Sequence, residues 1–262
     1  LSTPTRDFDT FFLMLPLFFA APLFLKGGCA RMVLTTAELY RIQEEIAARA
    51  IITDGPELDE LHVVAGVDQS FIDADTGNEN SHELLISAII VLDYPSLQFV
   101  ECASSMLRVE FPYIPGLLAF REAPAILKAF HALRTKPDLL VVDGGGINHP
   151  RYAGLATHVG VLLDIPTIGV TKSLLCGDGK PPISEGEAQV ITYHDKAVGY
   201  YFKSKAACKP IIIAPGHKVS LETSLKLIKS CLHLHKLPEP TRMAHLYANK
   251  LKREYLARPM KP

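Results

Sequence analysis

The segment Leu139-Leu140-Val141-Val142-Asp143-Gly144-Gly145-Gly146 constrains this chain more than any other. Four consecutive apolar residues with no polar alternation describe a short strand buried on both faces. Such a strand demands covering layers above and below its sheet. The run stops at a carboxylate, and three glycines follow. A carboxylate at the carboxyl end of a buried strand stands where α/β sheets place their ligands. A glycine-rich turn capped by Asp fits the same letters. A second carboxylate repeats the situation: Asp68 lies in Ala65-Gly66-Val67-Asp68-Gln69-Ser70, among small and β-branched residues, where burial is costly unless something pairs with it.

The rest of the chain supplies a sheet and its layers. Leu39, Ile42 and Ile46 recur at helical spacing, so a helix is expected from Ala37 to Ile51 with Thr36 as its cap. His62 to Ile72, Leu84 to Leu92 and Leu97 to Ala103 read as strands of an antiparallel meander, with a polar hairpin loop from Asp73 to Glu83. Leu117 to Leu133 reads as a helix that Pro124 either kinks or restarts. Tyr152 to Leu163 is expected to be helical and Thr167 to Val170 a strand. Gln189 to Tyr193 and Val198 to Lys203 suggest a hairpin, Pro210 to Ala214 a short strand, and Ser220 to Leu232 and Thr241 to Tyr255 two closing helices. With 48% apolar residues, the chain can bury the core of one domain of this size. A meander followed by helix–strand–helix–strand predicts an α/β fold, a mixed sheet flanked by helices in the ribonuclease H-like order.

The amino terminus stands apart. Phe11 to Leu25 is an unbroken apolar run of 15 residues containing Pro16 and Pro22. It is shorter than the roughly 18–20 residues that span a bilayer. A signal-peptide core, a weak anchor and an extension upstream of a natural start at Met32 all fit it, and the last is favoured. Residues 1–31 are therefore read as an apolar extension and residues 32–262 as a single catalytic domain, with no stable membrane association and a monomeric state expected. Five scattered cysteines form no C-x-x-C pair, which argues against a zinc site or a disulfide framework and fits the cytoplasm. The formal net charge of −1 is not that of a typical nucleic-acid binder. From Lys236 to Lys261, however, seven basic residues face two acidic ones, a candidate local basic face or simply a solvated terminal helix.

Asp68 and Asp143 make chemical sense together. Mg²⁺ takes hard oxygen ligands and keeps several waters, so a few carboxylates can hold one or two such ions against a phosphodiester. Glu122, in Phe120-Arg121-Glu122, is a third acid that alone reads as a solvated helix residue. Lys172 follows Thr167-Ile168-Gly169-Val170-Thr171 and could meet a phosphate or balance developing charge.

These segments form an ordered series. Val64-Ala65-Gly66-Val67-Asp68, Tyr113 through Glu122, Asp143 through Gly146, His149-Pro150-Arg151, Ile168 through Ser173 and Pro238 through Arg242 resemble, in order, the motifs of the endonuclease V family, over roughly Leu39 to Ala248. The resemblance implies a ribonuclease H-like fold. It also implies a Mg²⁺-dependent nick, with Mn²⁺ as a substitute, one nucleotide 3′ of deoxyinosine or inosine, leaving a 5′-phosphate, in repair of deaminated bases. By the same resemblance Asp68, Glu122, Asp143 and Lys172 are catalytic. Asp68 and Asp143 hold metal, with Glu122 as a further candidate.

Pro112, Tyr113, Ile114 and Pro115 match the wedge that enters the duplex, a sensible use of rigid apolar residues where a flipped base leaves its stack. Leu118, Gly144 and Gly146 match the pocket for that base, where glycine would let main-chain groups approach the ring and read its edge. His149 and His245 match positions near the site, for which a supporting role behind the metal ligands is expected. Three departures stand out: Gly145 replaces a residue that is often polar, Gln69 follows Asp68 where a small or β-branched residue is usual, and Lys218 follows Pro215-Gly216-His217, which resembles the family's late glycine–histidine turn, where Arg is commoner. DNA containing deoxyinosine is the expected partner, with inosine-containing RNA or branched DNA as alternative substrates of a related nuclease. A non-catalytic nucleic-acid binder is the remaining rival. A small-molecule enzyme gripping phosphate has neither a P-loop nor G-x-G-x-x-G to support it.

Overall fold

The computed structural model describes residues 34–72 and 83–257. The apolar run and nearly all of the Asp73–Glu83 loop lie outside these residues. Among the described residues the strands are β1 (Val63–Ile72), β2 (Leu84–Asp93), β3 (Phe99–Arg108), β4 (Leu139–Asp143), β5 (Thr167–Thr171), β6 (Ala188–Tyr193), β7 (Lys196–Phe202) and β8 (Ile211–His217). The α-helices are α1 (Thr36–Arg49), α2 (Leu118–His131), α3 (Leu155–Leu163), α4 (Leu221–Ser230) and α5 (Glu239–Leu256). The strands form one mixed sheet in the order β3-β2-β1-β4-β5-β8-β7-β6. The meander β1–β2–β3 is antiparallel, β4 and β5 run parallel to β1, and β8 returns antiparallel against β5.

Strand alternation divides the core into two layers. β4 gives Leu139 and Val141 to the layer that includes Ala244 of α5, and Leu140 and Val142 to the layer that includes Ala123 and Ile126 of α2. The uninterrupted apolar run is thus explained by burial on both faces. Asp143 continues the Leu139–Val141 side, and Asp68 continues that of Val64, so both aspartates project toward the α5 layer. α5 can lie this close to β1 because Gly66 has no side chain: a Cβ there would fall 2.0 Å from the carbonyl carbon of Pro240.

Several expected boundaries move, each for a local reason. Thr35, not Thr36, caps α1, because Thr35 and Glu38 form a reciprocal capping box. Leu97 lies in a turn with φ of 55°, so β3 begins at Phe99 and runs on to Arg108. α2 continues through Pro124 as one helix. α3 begins at Leu155 because Tyr152 takes a left-handed conformation. Pro215-Gly216-His217 is the end of β8, paired with β5 across a bulge, and not a turn. No helix among the described residues is long and apolar enough to cross a membrane.

Candidate active site

The β1–β4 pairing ends with Val67 opposite Val142, so Asp68 and Asp143 are the next residues along two neighbouring parallel strands. Parallel strands lie about 4.8 Å apart, and side chains one step past the last pair stand side by side. Glu122 approaches from α2. It is 6% exposed, as is Asp68, so it is not a solvated helix residue.

Glu122 and Asp143 both feel the neighbouring carboxylates. Burial, then the charges of Asp143 and Asp68, push the Glu122 carboxyl up to about 8. Burial and the charge of Asp68 likewise raise Asp143, while Lys172 pulls the other way. Lys172 follows β5, and its half-exposed Nζ stands 3.4 Å from Asp143 Oδ2. Among the described residues no three acidic, histidine or cysteine side chains close on a single point as they stand. A hard ion that keeps its waters does not require that: it binds through one or two carboxylates. The donor set fits such an ion. It consists of carboxylate oxygens, and a cation among them would offset both the burial and the mutual repulsion that raise Glu122 and Asp143.

The two histidines part company. His245 on α5 donates from Nδ1 to Asp68 Oδ2 at 2.6 Å, and its Nε2 faces the Asn249 side-chain amide at 3.0 Å. Asn249 donating to Nε2 fixes the proton on Nδ1, as expected of a residue that orients a metal ligand. His149 does something else. It is buried, its Nε2 donates to the Gly116 carbonyl at 3.1 Å, and its Nδ1 accepts from the Arg151 amide. Burial and the charge of Arg151 lower it to about 4, so it is neutral and both nitrogens are spent. Its hydrogen bonds thus go to the turn after the Pro112–Pro115 segment and to its own loop.

That segment precedes α2. Tyr113 is 69% exposed, unusual for a large aromatic ring, and Pro112 and Pro115 are also exposed, with Ile114 partly covered. Arg121 anchors the segment's start, donating to the Phe111 carbonyl at 2.8 Å while pairing with Glu83.

Leu118 is partly buried at the start of α2. The two glycines are also required by packing. A Cβ on Gly146 would fall 2.2 Å from the Pro215 carbonyl oxygen, and one on Gly144 would press on Leu155. Gly146 also donates its N–H to Asn148 Oδ1, and its carbonyl accepts from the Gly154 amide, which fixes the loop. Both glycines serve packing of the loop against β8 and α3. The basic stretch is also partly spent: Arg242 pairs with Glu239, Lys250 with Glu254, and Lys252 donates to the Phe71 carbonyl.

Sequence reasoning missed Gln43, Asn249 and the structural part of Arg151. Gln43 had a signal: it falls on the Leu39–Ile46 stripe, where a polar residue must find a buried partner. Glu122 had the same signal, lying between Ala119 and Ala123 on the buried face of α2.

The sequence model of Endonuclease V matches residues 44–246. An Endonuclease V of Gloeobacter violaceus is 40% identical over 219 residues, 82% of this chain and 86% of that protein. Among solved structures, the Bacillus subtilis Endonuclease V superposes with a TM-score of 0.78 at 29% identity, covering 86% of this chain and 94% of that one. The Ciona intestinalis Endonuclease V in complex with a 24mer DNA containing an inosine followed by a ribo-adenosine gives a TM-score of 0.70 at 29% identity, covering 84% and 98%. The mixed sheet and its flanking helices are thus the ribonuclease H-like architecture expected from the sequence. The chain belongs to the endonuclease V family of nucleases.

Proposed function

We propose that this protein is a Mg²⁺-dependent endonuclease that nicks a strand one nucleotide 3′ of deoxyinosine, in repair of deaminated bases. One observation carries the reading: Asp68, Glu122 and Asp143 come from three different elements to one end of the sheet, close enough that the charges of Asp143 and Asp68 add to burial in raising Glu122. Asp68 and Asp143 would hold the ion, with Glu122, in its ionised form, as a further ligand. When bound, the ion supplies an activated water and neutralises charge on the leaving oxygen. His245 fixes the Asp68 carboxylate, so that its other oxygen would be left for the ion. Lys172, at the rim beside Asp143, receives the scissile phosphate. Tyr113 and its flanking prolines fill the gap left by the flipped base. The base itself lodges between Leu118 and the Gly144–Gly146 loop, which His149 ties to the end of the wedge.

Matched oligonucleotides test this. A strand with one deoxyinosine is expected to be nicked in Mg²⁺, while the same strand with deoxyguanosine, or either strand in EDTA, is left intact. Equal cutting of both strands would overturn the substrate assignment. The ribo-adenosine beside the inosine in the Ciona complex favours a second reading, inosine in RNA. An all-RNA strand with one inosine, cut faster than its DNA counterpart, would establish it.

Tyr113→Ala is expected to weaken binding to the deoxyinosine duplex by about tenfold or more, since stacking a ring on a base is worth about 1–3 kcal/mol. Its melting temperature should hardly move, because the ring is exposed and its removal opens no cavity. Equal binding by variant and parent would remove the wedge from the reading.

A further inference from the structure

The carbonyl of Gly116 receives three donors. Gln43 Nε2 lies at 2.9 Å, Arg151 Nη2 at 2.9 Å and His149 Nε2 at 3.1 Å. A carbonyl oxygen has two lone pairs, so this one is fully saturated and its direction is fixed. Gly116 is the first residue after Pro115, and its φ of 79° is a left-handed turn that favours glycine. The turn is therefore the hinge from which the wedge leaves α2, and the hinge is locked from outside by α1 and by the loop after β4.

Gln43 is the keystone of the lock. It is 1% exposed, and both ends of its amide are used: Nε2 donates to Gly116, and Oε1 accepts from Arg151 Nε at 2.6 Å. The amide admits one orientation, since the flipped one would set two donors face to face and two acceptors face to face. Arg151 is held in turn over the Tyr40 ring at 3.9 Å, again from α1.

We propose that Gln43 and Arg151 are positioning residues for lesion recognition: they clamp Gly116 so that Pro112–Pro115 is presented to the duplex already rigid. The amino-terminal helix then belongs to the recognition apparatus and is more than a packing element. The inference rests on the wedge reading above. A pre-organised wedge does not lose its disorder on entering DNA, so the clamp acts on binding and leaves the chemical step alone.

Gln43→Glu is the sharp test. It keeps shape and the bond from Arg151, but sets an oxygen against the Gly116 carbonyl. The expected result is about a tenfold rise in KM on a deoxyinosine duplex in Mg²⁺, the same rise in Kd in EDTA, and kcat unchanged. In a Tyr113→Ala background, Gln43→Glu should add nothing, because the wedge it positions has lost its ring. A fall in kcat at constant KM, or additive losses in the double variant, overturns the clamp. If Tyr113→Ala weakens binding while Gln43→Glu binds like the parent, the wedge stands and the clamp fails. If Tyr113→Ala itself binds like the parent, the wedge reading fails and takes the clamp with it. Should Gln43→Glu not fold, Arg151→Lys decides by the same criteria, since it keeps the charge and loses the fork that spans Gln43 and Gly116.

Discussion

Asp143→Asn is expected to cut nicking of a deoxyinosine strand in Mg²⁺ by at least about 10³-fold, and to make the metal-free protein more stable. The loss follows from the ion's contribution to the transition state, several kcal/mol, with each ~1.4 kcal/mol worth a factor of ten. The gain follows from the electrostatics of the empty-handed protein. Asp143 lies beside two other carboxylates, and its charge is the second largest influence, after burial, raising Glu122. An amide of the same shape removes that repulsion and still offers Lys172 an acceptor. The melting temperature without metal should rise by about 2–4 °C, the response of a chain this size to about 1 kcal/mol. A protein that sacrifices stability to hold a metal shows this opposition of activity and stability. A variant with full nicking would sink the ligand assignment. One that loses both nicking and stability would mean that Asp143 supports the fold instead.

The two aspartates were legible because each interrupts an apolar strand, a local pattern needing no knowledge of the fold. The meander, β4 and the order of the later elements were legible for the same reason: alternation and unbroken apolar runs are read within a few residues. Glu122 and Gln43 were legible in principle, as polar residues on apolar helical stripes, but their partners were not. Gln43 meets Gly116 across 73 positions and His245 meets Asp68 across 177, and spacing along the chain carries no trace of such contacts. The glycines show a subtler limit. A run of three suggests room for a ligand, yet Gly144 and Gly146 are shaped by Leu155 and by the β8 backbone. The letters reveal that no Cβ is tolerated but not what occupies its place. His149 likewise gave no sign in the sequence that its ring would hold the Gly116 carbonyl across 33 positions.

The second large effect is in pH. With Glu122 raised from 4.5 to about 8, the folded metal-free protein binds more protons than the unfolded chain across that interval. Stability must therefore fall as pH rises from about 4.5 toward about 8, and level off beyond. Asp143, also raised, works in the same direction. Mg²⁺ is expected to reverse the sign. If it is held by the ionised carboxylates as proposed, at acidic pH it must displace a proton from Glu122, and its affinity should increase up to about tenfold per pH unit until that proton is gone near pH 8. Thermal melts with and without saturating Mg²⁺ measure this directly, because a ligand that binds only the folded state raises the melting temperature in proportion to its affinity. The shift on adding Mg²⁺ should be small near about pH 6 and large near about pH 8.5. In Glu122→Gln, which has no proton to release there, the pH dependence should flatten and the metal-free protein should weaken less across the interval, only by what Asp143 contributes. Equal Mg²⁺-induced shifts at both pH values in the parent protein would mean that Glu122 is not part of the metal site. The same shifts in parent and Glu122→Gln would assign any pH dependence to Asp143 alone.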